Sequence, residues 1–206
     1  MEKSKGLLIT FEGIEGCGKS TQARSLYEWL KSQGYDCIFT KEPGGTSITQ
    51  KIRDILLDKK NRDLSEWAEF FLYLADRAQD VSEVIKPALL AGKIVIADRF
   101  SDATMAYQGA GRGISVKLIK DMNAIATQGI IPDFTILIDV SPEQGFKRIE
   151  CRDRMELESK EFHSRVRGEY LKIAREKSNR VKVLDGTLKV EELVEQIRSL
   201  VKPLLK

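Results

Sequence analysis

The sequence predicts an α/β protein in which a central five-stranded parallel sheet is flanked by helices. Short apolar runs, typical of buried strands, alternate along the chain with longer segments whose apolar residues follow helical spacing. The first apolar run leads into Gly13-Ile14-Glu15-Gly16-Cys17-Gly18-Lys19-Ser20, which matches the phosphate-binding pattern G-x-x-x-x-G-K-S. These two observations together indicate a P-loop NTP hydrolase or kinase fold.

The P-loop is expected between a strand at residues 7–11 and a helix that ends near Gly34. Glycines allow the loop backbone to curve so that its N–H groups point at phosphate oxygens, and the helix adds its positive N-terminal end. Lys19 is then placed to reach the β- and γ-phosphates, and the Ser20 hydroxyl to bind Mg²⁺. The alternative, a plain glycine turn, is disfavoured by the strand and helix on either side.

Four more strands are predicted, at residues 37–40, 94–97, 134–140 and 181–184. Helices are predicted between these strands. One is capped by Thr46 or Ser47 and runs through Leu57, and one covers 65–90 with a kink or fresh start at Pro87; one or two helical turns follow at 101–107, before a flexible glycine-rich segment at 109–113. The remaining helices cover 115–127, start with a capping box at Ser141, end at Lys177, and cover 190–204. Strands and helices therefore alternate along the whole chain. We therefore predict a single domain over residues 1–206, with a small mobile lid at about residues 148–160.

Composition narrows the class of protein. The formal net charge is only +3, which argues against a nucleic-acid-binding protein with a broad basic surface but allows a local basic pocket. The N-terminal residues do not read as a signal peptide, and no apolar run is long enough to span a membrane. Cys17, Cys37 and Cys151 fit neither a disulfide framework nor a zinc pattern. We expect a cytoplasmic protein that binds neither nucleic acid nor membranes.

The residues that could carry chemistry follow the strands, at the edge where parallel sheets bind ligands. Asp98 ends the third strand, as expected of a Walker-B carboxylate that holds Mg²⁺, although it could instead cap a helix or pair with Arg99. Arg53, Arg77 and Arg99 lie on elements that lead to or from this edge, and guanidinium groups suit a second phosphate. For each arginine, a solvated surface position is the alternative.

An acceptor that is itself a phosphate would need no general base, because its attacking oxygen is already ionised. The sequence agrees, since it shows no nucleophile with an adjacent base. The single histidine, His163, lies in a charged stretch and is expected at the surface. Arg148, Arg152 and Arg154 lie either on an exposed, salt-bridged helix or on a lid that carries an arginine to the transferring phosphoryl group.

Together these motifs resemble the thymidylate kinases, which convert dTMP to dTDP with ATP and Mg²⁺ in dTTP biosynthesis. The resemblance covers nearly the whole chain. It rests on Phe11-Glu12-Gly13 through Ser20-Thr21, Glu42-Pro43-Gly44-Gly45-Thr46, Ala75-Asp76-Arg77, Asp98-Arg99-Phe100, Ala106-Tyr107-Gln108-Gly109 and Pro132-Asp133.

The resemblance implies a role for each matching residue. The ATP-binding residues would be Gly13, Ile14, Glu15, Gly16, Cys17, Gly18, Lys19, Ser20 and Thr21, with Ser20 and Asp98 serving the metal. The acceptor would meet Glu15 at its sugar 3′-hydroxyl, Arg53, Arg77 and Arg99 at its phosphate and base, Tyr73 stacked on thymine, Thr104 at the base edge, Tyr107 against the 2′ carbon, and Gln108 in the same motif. The catalytic residues would be Lys19, Arg99, Arg152 and Arg154, the last two on a lid of the bacterial type.

Members of this family are usually homodimers, and the apolar helix around residues 67–74 is a candidate interface, or else an ordinary core helix. The same motifs allow two other functions: a kinase for another small acceptor, and a P-loop switch that controls a protein partner. A GTPase switch would need an N-K-x-D segment, which the sequence lacks. A switch also has no use for a second group of phosphate-binding arginines.

Overall fold

The computed structural model describes residues 6–149 and 153–205. Its sheet has five strands in the order β2-β3-β1-β4-β5, and every neighbouring pair is parallel. The strands are β1 (Leu7–Glu12), β2 (Cys37–Lys41), β3 (Ile94–Asp98), β4 (Phe134–Asp139) and β5 (Val181–Asp185). The predicted fold class is confirmed.

Helices cover the sheet. They are α1 (Lys19–Ser32), α2 (Ser47–Leu57), α3 (Glu66–Asp80), α4 (Lys86–Leu90), α5 (Ser101–Thr104), α6 (Val116–Ala126), α7 (Pro142–Phe146), α8 (Lys160–Glu176) and α9 (Val190–Val201). The caps predicted from sequence are present: Thr46 and Ser141 each form a capping box at the start of α2 and α7. Within the described residues, no helix is both long enough and apolar enough to cross a membrane.

The helix predicted over residues 65–90 contains a π-helical turn at Val81–Ile85 that joins α3 to α4. Pro87 follows immediately, in the first turn of α4. Proline lacks the N–H group that an α-helix interior requires, so the change in hydrogen-bond pattern allows the helix to continue through it.

The glycine-rich segment was expected to be flexible, and this expectation is wrong. Met105–Gly111 forms a second π-helical segment, and most of its residues are buried. A Cβ atom placed on Gly111 would lie 2.6 Å from the Phe162 ring of α8. The glycine is therefore explained by close packing between two elements rather than by a need for mobility.

The central strand β1 positions the functional site. Its neighbours are β3 on one side and β4 on the other, and nearly all residues of β1 and β3 are buried. The P-loop that follows β1 therefore lies at the middle of the carboxyl edge of the sheet. The residues that follow β2 and β3 lie beside it, as expected of an open parallel sheet.

Candidate functional site

A cavity of about 410 Å³ opens at the carboxyl edge of the sheet. The residues that line it come from the P-loop, the ends of β2 and β3, helices α1, α2, α3 and α5, the π-helical segment Met105–Gly111 and residues 153–156. Those predicted from sequence are Glu15, Gly16, Lys19, Ser20, Arg53, Tyr73, Arg77, Asp98, Arg99, Thr104, Tyr107 and Gln108. The structure thus brings the P-loop and the predicted acceptor residues to one cleft.

The P-loop backbone has the geometry of an anion site. Gly13, Gly16 and Gly18 have φ angles of 142°, 70° and 94°, which residues other than glycine rarely adopt. Within helix α1, the first turn carries no acidic residue, and the N-cap, Gly18, has no side chain to accept a hydrogen bond from the first N–H groups. Its free N–H groups and positive end therefore face the loop. The Lys19 ammonium donates across the loop to the Ile14 carbonyl oxygen at 3.2 Å.

Glu15 and Arg99 form a buried ion pair beside the P-loop. Arg99 donates to Glu15 Oε1 at 2.9 Å, and the Tyr107 hydroxyl lies 2.7 Å from both oxygens of Glu15. Burial acts to raise the pKa of Glu15, but Arg99, a hydrogen bond from His163 and the charge of Lys19 together lower it well below its usual range. The carboxylate is therefore ionised at neutral pH.

The backbone of Arg99 also directs its side chain into the cleft. Its φ angle is 75°, an uncommon conformation for a residue other than glycine, and its N–H group donates to the Phe11 carbonyl oxygen. The guanidinium donates to the Gly13 carbonyl oxygen at 3.0 Å and lies 4.9 Å from the centre of the Tyr107 ring. Arg99 thus contacts the P-loop and the predicted acceptor residues at once.

Arg77 lines the cleft, but its guanidinium is engaged within the protein. It makes five hydrogen bonds, to Glu42 twice and to Thr104, Asn123 and the Phe100 carbonyl oxygen once each. An arginine has five N–H donors, so this side chain is saturated. Arg77 therefore positions Thr104 and the loop after β2, and its expected contact with the phosphate and base of the acceptor stays a prediction.

The other residues predicted to bind the acceptor differ in how far their polar groups are already paired within the protein. Arg53 is half-buried and donates to the Pro43 carbonyl oxygen at 2.8 Å. The Tyr73 ring lines the cleft four residues before Arg77. Gln108 is buried and donates to Glu69 at 3.0 Å, so its amide nitrogen is already used by the protein.

Asp98 and Ser20 line the same cleft, as expected of two residues that serve a metal ion. Asp98 is buried, and its Oδ1 atom finds no hydrogen-bond partner within residues 6–149 and 153–205. A buried carboxylate oxygen without a partner is costly, and a hard cation such as Mg²⁺ would satisfy it. This donor set therefore fits Mg²⁺.

The lid arginines separate into three cases. Arg154 is buried and donates to the Leu56 carbonyl oxygen at 2.7 Å and to Glu69 at 2.8 Å, so the expectation that it reaches the transferring phosphoryl group is not supported. Arg148 donates to the carbonyl oxygens of Gly16 and Gly186 at 3.4 and 3.0 Å. Arg152 lies outside the described residues.

His163 was expected at the surface, and this expectation is wrong. Its side chain is 1% exposed, and Nδ1 lies 3.3 Å from Glu15 Oε2. The sequence did hold a signal for this, because His163 is spaced three and seven residues before Val166 and Tyr170, which are buried on the same helix. The charges around it concealed the pattern.

Glu12 and Tyr170 support the site and were not singled out from the sequence. Glu12 accepts hydrogen bonds from the Phe100 N–H group and the Tyr170 hydroxyl, both at 2.8 Å. Burial raises the pKa of Glu12 to about 7, against the lowering effect of Arg99. The available signal for Glu12 is that an acidic residue ends an apolar strand. Glu12 directly precedes the P-loop, so this signal is hard to separate from that of the motif.

Comparison with known proteins agrees with this geometry. A family model described as thymidylate kinase matches residues 11–197. A thymidylate kinase of Thermoanaerobacter sp. (strain X514) is 47% identical over 203 residues, covering 98% of this chain and 100% of the relative. One from Pelobacter propionicus is 49% identical over 201 residues, covering 93% and 92%.

Among solved structures, the thymidylate kinase of Ehrlichia chaffeensis superposes with a TM-score of 0.79 at 34% identity, covering 96% of this chain and 98% of that one. A match of the family model over most of the chain, nearly complete relatives and the same fold all point the same way. The chain belongs to the thymidylate kinase family, whose members phosphorylate dTMP to dTDP.

Proposed function

We propose that this protein transfers the γ-phosphoryl group of ATP directly to the phosphate of dTMP, in line and without a general base. The observation that carries the proposal is the single cleft that joins the P-loop lysine, Lys19, to Arg99, Arg53 and Tyr73. A dTMP phosphate is ionised at neutral pH, so no proton has to be removed from the attacking oxygen. Alignment and neutralisation of charge then account for catalysis.

The donor and the acceptor would occupy opposite sides of Arg99. The N–H groups of residues 13–21 and the Lys19 ammonium would bind the phosphates of ATP, supported by the open N-terminus of α1. Arg99 and Arg53 would bind the phosphate of dTMP. Tyr73 would stack on thymine, Thr104 would meet the base edge, and the Tyr107 ring would lie against the 2′ carbon of the sugar.

Mg²⁺ would be held by Asp98 and by the Ser20 hydroxyl, on the support of the unpaired Oδ1 atom described above. When bound, the ion would neutralise charge on the phosphates of ATP. Arg152 is the lid arginine that we assign to the transferring phosphoryl group. We make this assignment because Cys17 leaves the P-loop without a second cation, and because Arg154 is already paired with Glu69.

We also propose a cytoplasmic homodimer. Helix α3 carries two neighbouring aromatic side chains, Trp67 and Phe71, each 51% exposed, with ring centres 6.1 Å apart. Helix α2, which packs against α3, exposes Ile48 and Ile55. Apolar surface of this kind on adjacent helices is typical of an interface between subunits. The small net charge and the free thiols of Cys17 and Cys37 fit a reducing compartment.

A coupled ADP-release assay with ATP and Mg²⁺ tests the reaction. We expect fast turnover of dTMP, slower turnover of dUMP and little turnover of UMP, because the 2′-hydroxyl of UMP would collide with Tyr107. Arg99→Ala should raise the KM for dTMP at least 30-fold more than the KM for ATP, as expected when an arginine bound to a phosphate is lost. Slow ATP hydrolysis with no acceptor turned over would refute the proposal, and equal KM increases would refute the role of Arg99.

A further inference from the structure

The contact between His163 and Glu15 joins the start of α8 to the P-loop. We propose that His163 is a positioning residue: its Nδ1–H group holds the Glu15 carboxylate in the orientation in which it accepts a hydrogen bond from a hydroxyl group of the acceptor's sugar. This inference rests on the proposed function, and it assigns a role to a residue that is not among those lining the cleft.

Glu15 needs contacts on both oxygens to keep one orientation, because the terminal torsion of a glutamate side chain is broad. Arg99 donates to Oε1 at 2.9 Å, and the Tyr107 hydroxyl lies at the same distance, 2.7 Å, from both oxygens. His163 is placed at Oε2, 3.3 Å away. The histidine therefore lies on the opposite side of the carboxylate from Arg99, and it prevents the carboxylate from turning toward the guanidinium alone.

The hydrogen-bond donors around the Glu15 carboxylate leave one acceptor position free for a ligand. A carboxylate offers about four lone-pair positions. Arg99, Tyr107 and His163 occupy three of them, and Glu15 lines the cleft. A hydroxyl donor on a bound ligand would take the remaining position, and its direction is fixed by the three that are already filled.

The surroundings of the imidazole ring fix which nitrogen carries the proton. A carboxylate only accepts hydrogen bonds, so Nδ1 is the donor. Nε2 is buried and has no hydrogen-bond partner among the residues that the structure describes. The edge contacts of Phe146 and Phe162, with ring centres 4.8 and 5.3 Å away, hold the ring in place.

The P-loop is also contacted by residues that follow β4. Arg148 donates to the Gly16 carbonyl oxygen, and a Cβ atom on Gly16 would collide with the Gly145 carbonyl oxygen. Residues 145–148 therefore pack on Gly16, and helix α8 contacts Glu15 through His163. The orientation of the Glu15 carboxylate thus depends on how α8 packs against the P-loop.

Two substitutions separate a hydrogen-bond donor from a space-filling ring. His163→Asn keeps an N–H donor near the Nδ1 position, whereas His163→Phe keeps a ring of similar size without a donor. KM and kcat would be measured for ATP, dTMP and 3′-deoxy-dTMP, which lacks the hydroxyl. Thermal unfolding of each variant would be recorded with and without dTMP.

We expect H163F to raise the KM for dTMP about tenfold, the effect of losing one hydrogen bond to a charged group, while the KM for ATP changes less than twofold. The preference of the wild-type enzyme for dTMP over 3′-deoxy-dTMP should largely disappear in H163F. H163N should stay within about threefold of the wild type for every parameter. Should H163F unfold, His163→Met, which also lacks an N–H group, is expected to show the same pattern.

Three results would overturn the role of His163: equal effects of the Asn and Phe variants, equal effects on dTMP and 3′-deoxy-dTMP, or no effect of H163F at all. Each requires a wild-type enzyme that phosphorylates dTMP. A wild-type enzyme that does not phosphorylate dTMP would instead refute the proposed function, so the two failures are distinguishable.

Discussion

Arg77 binds Glu42 through two hydrogen bonds to the same oxygen, Oε2, at 2.9 and 2.7 Å. Both side chains are at most 3% exposed. The pair joins helix α3 to the residue that follows β2, and Asn123 and Thr104 use the remaining NH1 donors of Arg77. A buried guanidinium with every donor satisfied holds the wall of the cleft in place.

Removing Arg77 should therefore be costly. Arg77→Met leaves Glu42 buried without its cation and three other acceptors unpaired, so we expect a loss of about 3 to 5 kcal/mol in the free energy of unfolding. Glu42→Gln should cost about 1 to 2 kcal/mol, because the amide oxygen still accepts both hydrogen bonds. Urea unfolding of the two single variants and the double variant measures this.

Asn123→Ala is the matched control for the same network, since it removes one of the five hydrogen bonds of Arg77. Its cost should be close to 1 kcal/mol. Losses that simply add in the double variant R77M/E42Q would show that the two residues do not interact in solution.

A carboxyl group next to this pair makes stability depend on pH. Asp76 accepts a hydrogen bond from the Gly44 N–H group at 2.8 Å, and its other oxygen has no partner within the described chain. Burial, followed by the nearby Glu42 carboxyl, raises the pKa of Asp76 from 3.8 to about 7. The folded state therefore holds a proton that the unfolded state releases between these two values.

Because the folded state binds more protons in this window, stability falls as the pH rises from about 4 to about 7. Asp76→Asn keeps the acceptor for Gly44 and removes the ionisable group. We expect the variant to match the wild type near pH 4 and to exceed it by on the order of 4 kcal/mol above pH 7. Urea unfolding across this range gives the difference, and a constant difference at every pH would contradict the assignment.

The parts of this fold that could be predicted depend on local signals. Apolar runs, glycine spacing and cap residues gave the five strands, the P-loop and the capping box at Ser141. Their physical causes act within a few residues of the chain. The same signals placed Lys19, Asp98 and Arg99 at the ligand edge, because the ends of parallel strands meet there.

Contacts between distant segments could not be predicted. Arg77 is 35 residues from Glu42, and the sequence offered no means of pairing them. The charged residues around His163 predict an exposed side chain, although its partner is Glu15 on another element, and the pairing of Arg154 with Glu69 is equally distant in the chain. Whether a charged side chain is exposed or paired depends on tertiary contacts, which local pattern does not encode.

Glu69 is the acceptor at the centre of a group that fixes the lid. It binds Arg112 and Arg154 at 2.9 and 2.8 Å, and Gln108 at 3.0 Å. Glu69→Ala should cost about 3 to 5 kcal/mol because it leaves the buried cation of Arg154 without its carboxylate, whereas Arg112 keeps Glu158 at 2.6 Å. Arg154→Met should cost less, about 1 to 2 kcal/mol, since Glu69 keeps Arg112.

The kinetic comparison of two lid arginines tests which one acts on the phosphoryl group. R154M should keep kcat within about threefold of the wild type, because its guanidinium lies against Glu69. Arg152→Met should lower kcat at least 100-fold, in line with the loss of an arginine that stabilises transition-state charge. A large loss of kcat in R154M with normal activity in R152M would reverse the assignment.

The exposed aromatic pair on α3 predicts the oligomeric state. Sedimentation velocity should show a dimer for the wild type and a monomer for Trp67→Glu/Phe71→Glu, because charges at the centre of an apolar interface are not tolerated. Ile125→Glu is the control: Ile125 is 72% exposed on α6, and its replacement should leave the dimer intact. A wild-type monomer, or a double variant that remains dimeric, would exclude this face as the interface.

The unpaired Oδ1 atom of Asp98 predicts how the enzyme responds to Mg²⁺. Asp98→Asn removes the negative charge while keeping the size of the side chain, so the concentration of Mg²⁺ needed for half-maximal activity should rise at least tenfold. Stabilisation of the protein by Mg²⁺ and ADP, measured as a shift of the thermal midpoint, should fall in parallel, because binding energy adds to the stability of the folded state.

Asp139→Asn provides the matched control, since Asp139 also ends a strand of the sheet but binds Arg167 at 2.7 and 2.8 Å. Its replacement should leave the response to Mg²⁺ unchanged and affect only stability. If the two variants needed the same concentration of Mg²⁺ as the wild type, the free oxygen of Asp98 would have to be satisfied by another group in the loaded enzyme. The Ser20 hydroxyl would then be the only one of the two residues left in the metal role.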